Sequence, residues 1–88
     1  MRDYTCFIVD DEDLIIQRLE LYFSELSHKE KRFQLVGKAT NGQKGIEEIL
    51  KLKPDIVISD IVMPRMDGIA MIEQLKPELP HTQFILLT

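Results

Sequence analysis

Two hydrophobic periods alternate along the 88 residues of the chain. Short runs rich in β-branched and aromatic residues at Tyr4–Val9, Phe33–Ala39, Asp55–Asp60 and Thr82–Leu87 predict four β-strands. Between these runs, apolar residues recur at helical spacing and predict three amphipathic helices. The resulting order, βαβαβαβ, favours right-handed crossovers and an α/β sandwich. Because the third strand is apolar on both faces, it is expected in the middle of a parallel sheet.

The helical stripes predict which side chains face the core. The first helix begins near Asp13, and Thr40-Asn41-Gly42 offers a turn and an N-cap for the second helix. Asp67, in a turn with Gly68, is expected to cap the third. Pro54 ends the second helix and Pro77 ends the third, since proline does not continue a helix. The side chains predicted to face inward are Ile15, Leu19, Tyr22, Phe23 and Leu26 in the first helix, Ile46, Ile49 and Leu50 in the second, and Ile69, Ile72 and Leu75 in the third.

Composition describes one small globular domain over residues 1–88, with 44% hydrophobic and 30% charged residues. Fifteen acidic against eleven basic residues give a net charge of −4, which argues mildly against a nucleic-acid surface on this chain. No apolar stretch approaches the roughly 20 residues of a membrane span, and the first residues lack a signal-peptide pattern. The single cysteine, Cys6, lies in an apolar run and is expected to be a buried thiol, so we expect a cytoplasmic protein with no membrane contact.

Three carboxylates stand at strand ends. Asp10 and Asp11 follow the first strand and Asp60 closes the third, and in a sheet of order 2-1-3-4 these two strands are neighbours whose carboxyl ends meet at one edge. Each acid alone is explained by a helix cap or a strand end. Together, at about 5 Å and an effective dielectric constant of 20, each pair of charges repels by roughly 3 kcal/mol. The cluster therefore predicts raised pKa values or a bound cation, and Mg²⁺ suits oxygen ligands of this kind.

The motifs "FIVDDE", "DIVISDIVMPRMDG" and "FILLT" occur in this order along the whole chain. Their combination resembles the receiver domain of bacterial two-component response regulators, with an acidic pair after the first strand, an Asp closing the third, then Met-Pro and Asp-Gly. The resemblance implies a flavodoxin-like, doubly wound parallel sheet of order 2-1-3-4.

The resemblance also implies roles for individual residues. Asp60 would accept a phosphoryl group from a phosphohistidine on a sensor histidine kinase, in a Mg²⁺-dependent reaction. Asp11, Asp60 and the backbone carbonyl of Val62 would bind Mg²⁺ directly, and Asp10 would bind it through a water molecule. Thr88 would be the switch hydroxyl that turns towards the phosphoryl group. The expected activity is that of a phosphoacceptor, with at most self-phosphotransfer and self-dephosphorylation, and the apolar Val62 predicts a long-lived phosphoaspartate.

The family pattern continues past the last residue of this sequence. Its fifth strand carries a lysine and an aromatic switch residue and is flanked by helices, whereas this sequence stops at Thr88. We therefore expect an incomplete sheet with an apolar fourth strand at its edge, through which the chain forms a homodimer or swaps elements. Nucleic acid would be contacted only through an output domain, a DNA-binding domain by this resemblance, which these residues do not include.

Two other functions compete with the receiver. Asp11-Glu12-Asp13 has the Asp-x-Asp spacing of haloacid-dehalogenase-type, metal-dependent phosphohydrolases. Release of many phosphates per chain would support such a hydrolase, whereas retention of one phosphoryl group would support a receiver. The remaining alternative is an inactive, truncated interaction module.

Overall fold

A computed structural model describes residues 2–26 and 31–87; the side chain of Leu26, predicted to face inward, lies outside the described part. The strands are β1 (Arg2–Val9), β2 (Lys31–Ala39), β3 (Ile56–Asp60) and β4 (Gln83–Leu87), and the helices are α1 (Asp13–Leu26), α2 (Gly42–Leu52) and α3 (Gly68–Leu75), the last followed by a 3-10 turn at Lys76–Glu78. Within the described ranges, no helix has both the length and the apolar character needed to cross a membrane.

The four strands form one parallel sheet of order β2-β1-β3-β4, as the sequence predicts. In the central pair, Val9 of β1 lies opposite Ser59 of β3. The residues that follow, Asp10 and Asp60, therefore leave the sheet side by side at its carboxyl edge. This register is the feature of the fold that places the candidate site.

The core lies in two layers, one on each face of the sheet. Phe7 and Val9 of β1 pack with buried residues of α2 and α3, whereas Cys6 and Ile8 pack with Ile16 of α1 on the other face. Successive residues of a strand point to opposite faces. Both faces of β1 are therefore buried, as expected for a central strand of a parallel sheet.

Several predicted core positions are wrong, and the helices bury neighbouring residues instead. In α1, Tyr22 was predicted to face the core but is 55% exposed. Ile16, which the predicted stripe did not include, is buried. Leu50 and Ile69 are also exposed, while Met71 of α3 is fully buried. The apolar residues of these helices form stripes wider than the contact with the sheet. Which side of each stripe is buried depends on how the helix is rotated against the strands, and spacing alone does not determine that rotation.

A β-bulge adjusts the pairing of β2 with β1. Cys6 pairs with Leu35 and the next residue, Phe7, pairs with Gly37, so Val36 is an extra residue on β2. Gly37 packs directly beneath the Phe7 ring, where a Cβ atom would lie 2.5 Å from ring carbon Cε2. Beyond the bulge, the Asp10 N–H donates to the Ala39 carbonyl at 3.0 Å. The bulge thus sets which part of β2 supports the start of the acidic segment.

Both predicted helix caps are present. The side chains of Asn41 and Asp67 each accept the backbone N–H three residues further on, at 2.9 and 2.7 Å. At its other end, α2 terminates at Lys53 in the left-handed conformation, with φ 47° and ψ 60°, and the Lys53 N–H donates to the Ile49 carbonyl. Local side-chain chemistry therefore defines where α2 and α3 begin.

At the end of the sheet away from the acidic cluster, hydrogen bonds join Thr5 of β1 to Asp55, the residue before β3. The Asp55 carboxylate accepts the Thr5 backbone N–H at 2.8 Å and the Thr5 hydroxyl at 3.3 Å. The Asp55 N–H donates in return to the Thr5 hydroxyl at 3.0 Å. These bonds fix the amino end of β3, away from the acidic cluster at its carboxyl end.

Candidate functional site

The structure brings Asp10, Asp11 and Asp60 together. One carboxylate oxygen from each lies within 4.8 Å of the others, although about fifty residues separate Asp60 from the other two in sequence. Asp10 and Asp11 occupy the segment after β1, and Asp60 is the last residue of β3. The convergence follows from the adjacency of two parallel strands, as the sequence predicts.

Asp10 is the buried member of the cluster, with 4% of its surface exposed. Its Oδ1 accepts the Glu12 backbone N–H at 2.9 Å, which holds the side chain in a tight turn. Burial raises the pKa of the Asp10 carboxyl, and the charges of Asp60, Asp11 and Glu12 raise it further, against the opposing effect of the Glu12 N–H bond. The cluster is therefore strained by its own negative charge and suited to a cation.

Asp60 is half-buried, so its carboxylate is reachable from the edge of the sheet. Its Oδ1 accepts the Val62 backbone N–H at 3.3 Å. The side chain of Val62 is 77% exposed and extends into solvent beside the carboxylate. Asp60 thus combines a rigid strand on one side with an open approach on the other. That the Val62 carbonyl binds a metal stays a prediction.

The loop after β3 is held at both of its ends. The Ile61 N–H donates to the Leu87 carbonyl of β4 at 3.3 Å, and the Gly68 N–H donates to the Ile61 carbonyl at 2.8 Å. Between them, a three-residue turn joins the Met66 N–H to the Pro64 carbonyl at 2.8 Å, with the intervening Arg65 at φ 72°. The surroundings of the carboxylate are therefore formed by a constrained loop.

Some functional positions fall elsewhere. Thr88, the predicted switch hydroxyl, lies outside the described residues. Asp13 begins α1 and does not belong to the acidic cluster found among the described residues. Sequence reasoning gave no role to Ser59 and read Gly68 only as part of a turn, yet both contact the backbone of Asp60. The available signal was a lone hydroxyl residue inside an apolar strand.

Comparison with known families identifies the chain. The family model described as "Response regulator receiver domain" matches residues 6–88. The chain belongs to this family. The match favours the receiver over the phosphohydrolase alternative, which depended on Asp13. This receiver domain is thus a module of two-component signalling.

Curated relatives of this receiver domain have several kinds of output. It is 39% identical over 78 residues to the transcriptional regulatory protein BtsR of Shigella flexneri, covering 89% of this chain and 30% of the relative. It is 37% identical over 73 residues to a protein-glutamate methylesterase/protein-glutamine glutaminase of Methanosarcina acetivorans, covering 83% of this chain and 19% of the relative. It is 34% identical to the response regulator protein VraR of Staphylococcus saprophyticus, covering 91% of this chain and 36% of the relative. The chain therefore spans between 19% and 36% of the length of these relatives.

Solved structures show the same fold. The signal receiver domain of NarL from Mycobacterium tuberculosis superposes with a TM-score of 0.85 at 26% identity, covering 98% of this chain and 66% of that one. The response regulator domain of CheB from Thermotoga maritima gives a TM-score of 0.84 at 26% identity, covering 97% of this chain and 60% of that one. The prediction of a flavodoxin-like sheet of order 2-1-3-4 is confirmed.

Proposed function

We propose that this receiver domain is a phosphorylation-dependent switch whose phosphoacceptor is Asp60. The observation that carries the proposal is the convergence of Asp10, Asp11 and Asp60 within 4.8 Å at the carboxyl edge of the sheet, in a chain of the receiver family. Asp60 is the acid fixed by a strand and open to an incoming group. An aspartate carboxylate is a competent nucleophile towards phosphorus.

The cluster fits a magnesium ion. Its donors are carboxylate oxygens, which hard divalent cations prefer, and the pKa of Asp10 is raised by burial first and then by the charges of Asp60, Asp11 and Glu12. Asp11 and Asp60 would hold the ion directly, with the Val62 carbonyl, and Asp10 would hold it through water. When bound, Mg²⁺ would supply the positive charge that reduces repulsion between this acidic edge and an anionic phosphoryl group.

The phosphoryl donor in this proposal is a phosphohistidine of a sensor histidine kinase. A carboxylate oxygen of Asp60 attacks phosphorus and forms the new P–O bond as the P–N bond to histidine breaks. The electron pair of the broken bond stays on the imidazole nitrogen, which takes up a proton. The carboxylate of Asp60 keeps its position because β3 and the loop after it are held by backbone hydrogen bonds.

Intact-mass spectrometry after incubation with Mg²⁺ and acetyl phosphate tests the proposal. The wild-type chain should gain the mass of one phosphoryl group, and Asp60→Asn should gain none. Asp13→Asn, which removes an acid outside the cluster, is the matched control and should be modified like the wild type. Modification of Asp60→Asn to the same extent would contradict the assignment of the phosphoacceptor.

The output and location of the protein form a second part of the proposal. The relatives named as a transcriptional regulatory protein and a response regulator protein support control of a DNA-binding output in a longer protein. The buried, free Cys6, whose thiol pKa is raised to about 11 by burial and by Asp55, supports a reducing compartment such as the cytoplasm. The coding sequence downstream of residue 88 checks the output, and a region without a DNA-binding motif there would contradict it.

We further propose that the 88-residue chain associates with itself through β4. This strand forms one edge of the described sheet, and Ile85 and Leu86 are 46% and 37% exposed. An apolar edge strand with free backbone groups promotes pairing with another chain.

A further inference from the structure

Ser59 places a hydroxyl group inside the packed sheet. Its side chain is fully buried, and its backbone pairs with Val9 on one side and Leu86 on the other. The hydroxyl donates to the backbone carbonyl of Asp60 at 2.9 Å. Because a buried hydroxyl without a partner is costly, this bond fixes the Ser59 side chain against the peptide that follows Asp60.

Gly68 also packs against this peptide. A Cβ atom on Gly68 would collide with the carbonyl oxygen of Asp60 and would lie 2.9 Å from the Ser59 hydroxyl. The backbone of Gly68 has no positive φ, so space and not conformation excludes a side chain there. The Gly68 N–H donates to the Ile61 carbonyl at 2.8 Å, which seats the start of α3 on the end of β3.

The carboxylate of Asp60 is held less tightly than its backbone. Its bond from the Val62 N–H is 3.3 Å long, beyond the usual 2.9–3.0 Å of an N–H···O bond. Where the carboxylate lies relative to Asp10 and Asp11 therefore depends largely on the backbone at residue 60. The Ser59 hydroxyl and the backbone of Gly68 both pack against the carbonyl group of that backbone.

We infer that Ser59 and Gly68 are positioning residues that hold the Asp60 carboxylate in register with Asp10 and Asp11. This inference rests on the proposed function of Asp60 and extends it to two residues that do not belong to the acidic cluster. Displacements of about 1 Å at a reacting group can slow a reaction by roughly two orders of magnitude, so a small backbone shift is sufficient.

Ser59→Ala tests the inference because it removes the hydroxyl and leaves nearly the same volume. The rate of phosphorylation by acetyl phosphate at saturating Mg²⁺ should fall about tenfold, the usual size of effect when a group that orients a ligand is lost. The Mg²⁺ concentration that gives half of the maximal thermal stabilisation should rise by about the same factor. Ser59→Cys, with a weak donor of similar size, should recover part of both losses.

Thr5→Val is the matched control. It removes a hydroxyl at the amino end of the sheet that donates to the Asp55 carboxylate and accepts the Asp55 N–H, so it costs two hydrogen bonds where Ser59→Ala costs one. Ser59→Ala should lower the melting temperature by roughly 4 °C, and Thr5→Val should lower it at least as much. A merely structural role of Ser59 predicts that Ser59→Ala and Thr5→Val behave alike, whereas a positioning role predicts that only Ser59→Ala changes the rate and the Mg²⁺ dependence.

Gly68→Ala is a second test variant and should slow phosphorylation at least as much as Ser59→Ala, since the added methyl group displaces α3 or the Asp60 peptide. If Gly68→Ala does not fold, the result for Ser59→Ala decides.

Wild-type rate and Mg²⁺ dependence in Ser59→Ala would overturn the inference. A wild-type chain that binds Mg²⁺ without gaining a phosphoryl group would contradict the proposed function alone, and the Mg²⁺ titration of Ser59→Ala would still decide the positioning role. A chain that does neither would overturn both.

Discussion

Among the described residues, Asp10 is the one buried residue with a charged side chain, so the electrostatic cost of the cluster is concentrated there. Its pKa is raised by burial first and then by the charges of Asp60, Asp11 and Glu12. A carboxyl whose pKa is higher in the folded state binds its proton more tightly in that state than in the unfolded chain. The contribution of Asp10 to stability therefore declines as the pH rises from its ordinary pKa through the raised one.

Asp10→Asn should consequently stabilise the metal-free protein at neutral pH. The amide keeps an oxygen to accept the Glu12 N–H, while one buried charge of the cluster is removed. We expect the free energy of unfolding at pH 7 to increase on the order of 1 kcal/mol, with little change near pH 3. Urea unfolding across this pH range measures the effect.

The control for Asp10→Asn is Asp13→Asn, which removes an exposed acid from the first turn of α1 and should give no gain, because a negative charge there favours the helix. Added Mg²⁺ should stabilise the wild type more than Asp10→Asn. Equal stability of Asp10→Asn and the wild type at pH 7 without metal would argue against a costly cluster.

We predict that Val62 limits the attack of water on the proposed phosphoaspartate. Its side chain is 77% exposed and offers no polar atom beside the Asp60 carboxylate, so it cannot orient an attacking water molecule. Val62→Asn adds an amide at this position and should shorten the lifetime of the phosphorylated chain about tenfold. The decay of the phosphorylated mass with time measures the lifetime.

Val62→Ala separates orientation from shielding. It opens the same space without a polar group and should shorten the lifetime less than Val62→Asn does. If all three proteins lose the phosphoryl group at one rate, Val62 does not protect the site.

At the level of elements, the carboxyl end of α2 has a strained backbone conformation that a substitution can relieve. Lys53 adopts the left-handed conformation, which costs a residue with a Cβ atom about 1 kcal/mol or more. Lys53→Gly should therefore raise the free energy of unfolding by about 0.5–1 kcal/mol, since part of the gain is offset by the greater freedom of glycine in the unfolded chain. Lys51→Gly, inside the last turn of the same helix, should instead lower it by about 1 kcal/mol. Chemical denaturation of both variants checks the sign, and a destabilised Lys53→Gly would contradict it.

The elements that sequence predicts well are those defined locally. Asn41 and Asp67 cap the helices that follow them because a short polar side chain reaches an N–H three residues away. The choice of Ile16 over Tyr22 as a core residue depends on how α1 is rotated against the sheet, and the bulge at Val36 depends on how β2 pairs with β1. Such features need the partner element to be known.

The same division applies to the candidate site. Asp10, Asp11 and Asp60 were predictable as a cluster, because strand ends are visible in sequence and parallel strands share a carboxyl edge. The contact of Gly68 with the peptide of Asp60 was not, because it depends on how closely α3 approaches β3. Only the distances between these backbones show that the glycine is required by space.

For the whole molecule, the two edges of the sheet differ. The β4 edge, Gln83–Leu87, carries no charged residue, and Ile85 and Leu86, which alternate between the faces, are both exposed. The β2 edge carries Arg32 and Lys38 and is interrupted by the bulge, both of which discourage pairing with another strand.

Association of the 88-residue chain should therefore depend on β4. We expect dimers or larger species at micromolar concentration in size-exclusion chromatography with light scattering, and Ile85→Lys should shift the chain towards the monomer. Leu21→Lys, which places the same charge at a 65% exposed leucine of α1, should leave the association unchanged. A wild-type chain that stays a stable monomer at every concentration would rule out this route.

The bulge in β2 also determines at which edge a further strand can join the sheet. Because the β2 edge is irregular and positively charged, an additional strand is directed to the β4 edge, where Leu87 lies opposite Asp60. Any segment that extends the sheet, whether from the same polypeptide or from a second molecule, will then come to rest one strand away from the acidic residues. Only β4 would then separate the added strand from Asp60, the proposed phosphoacceptor.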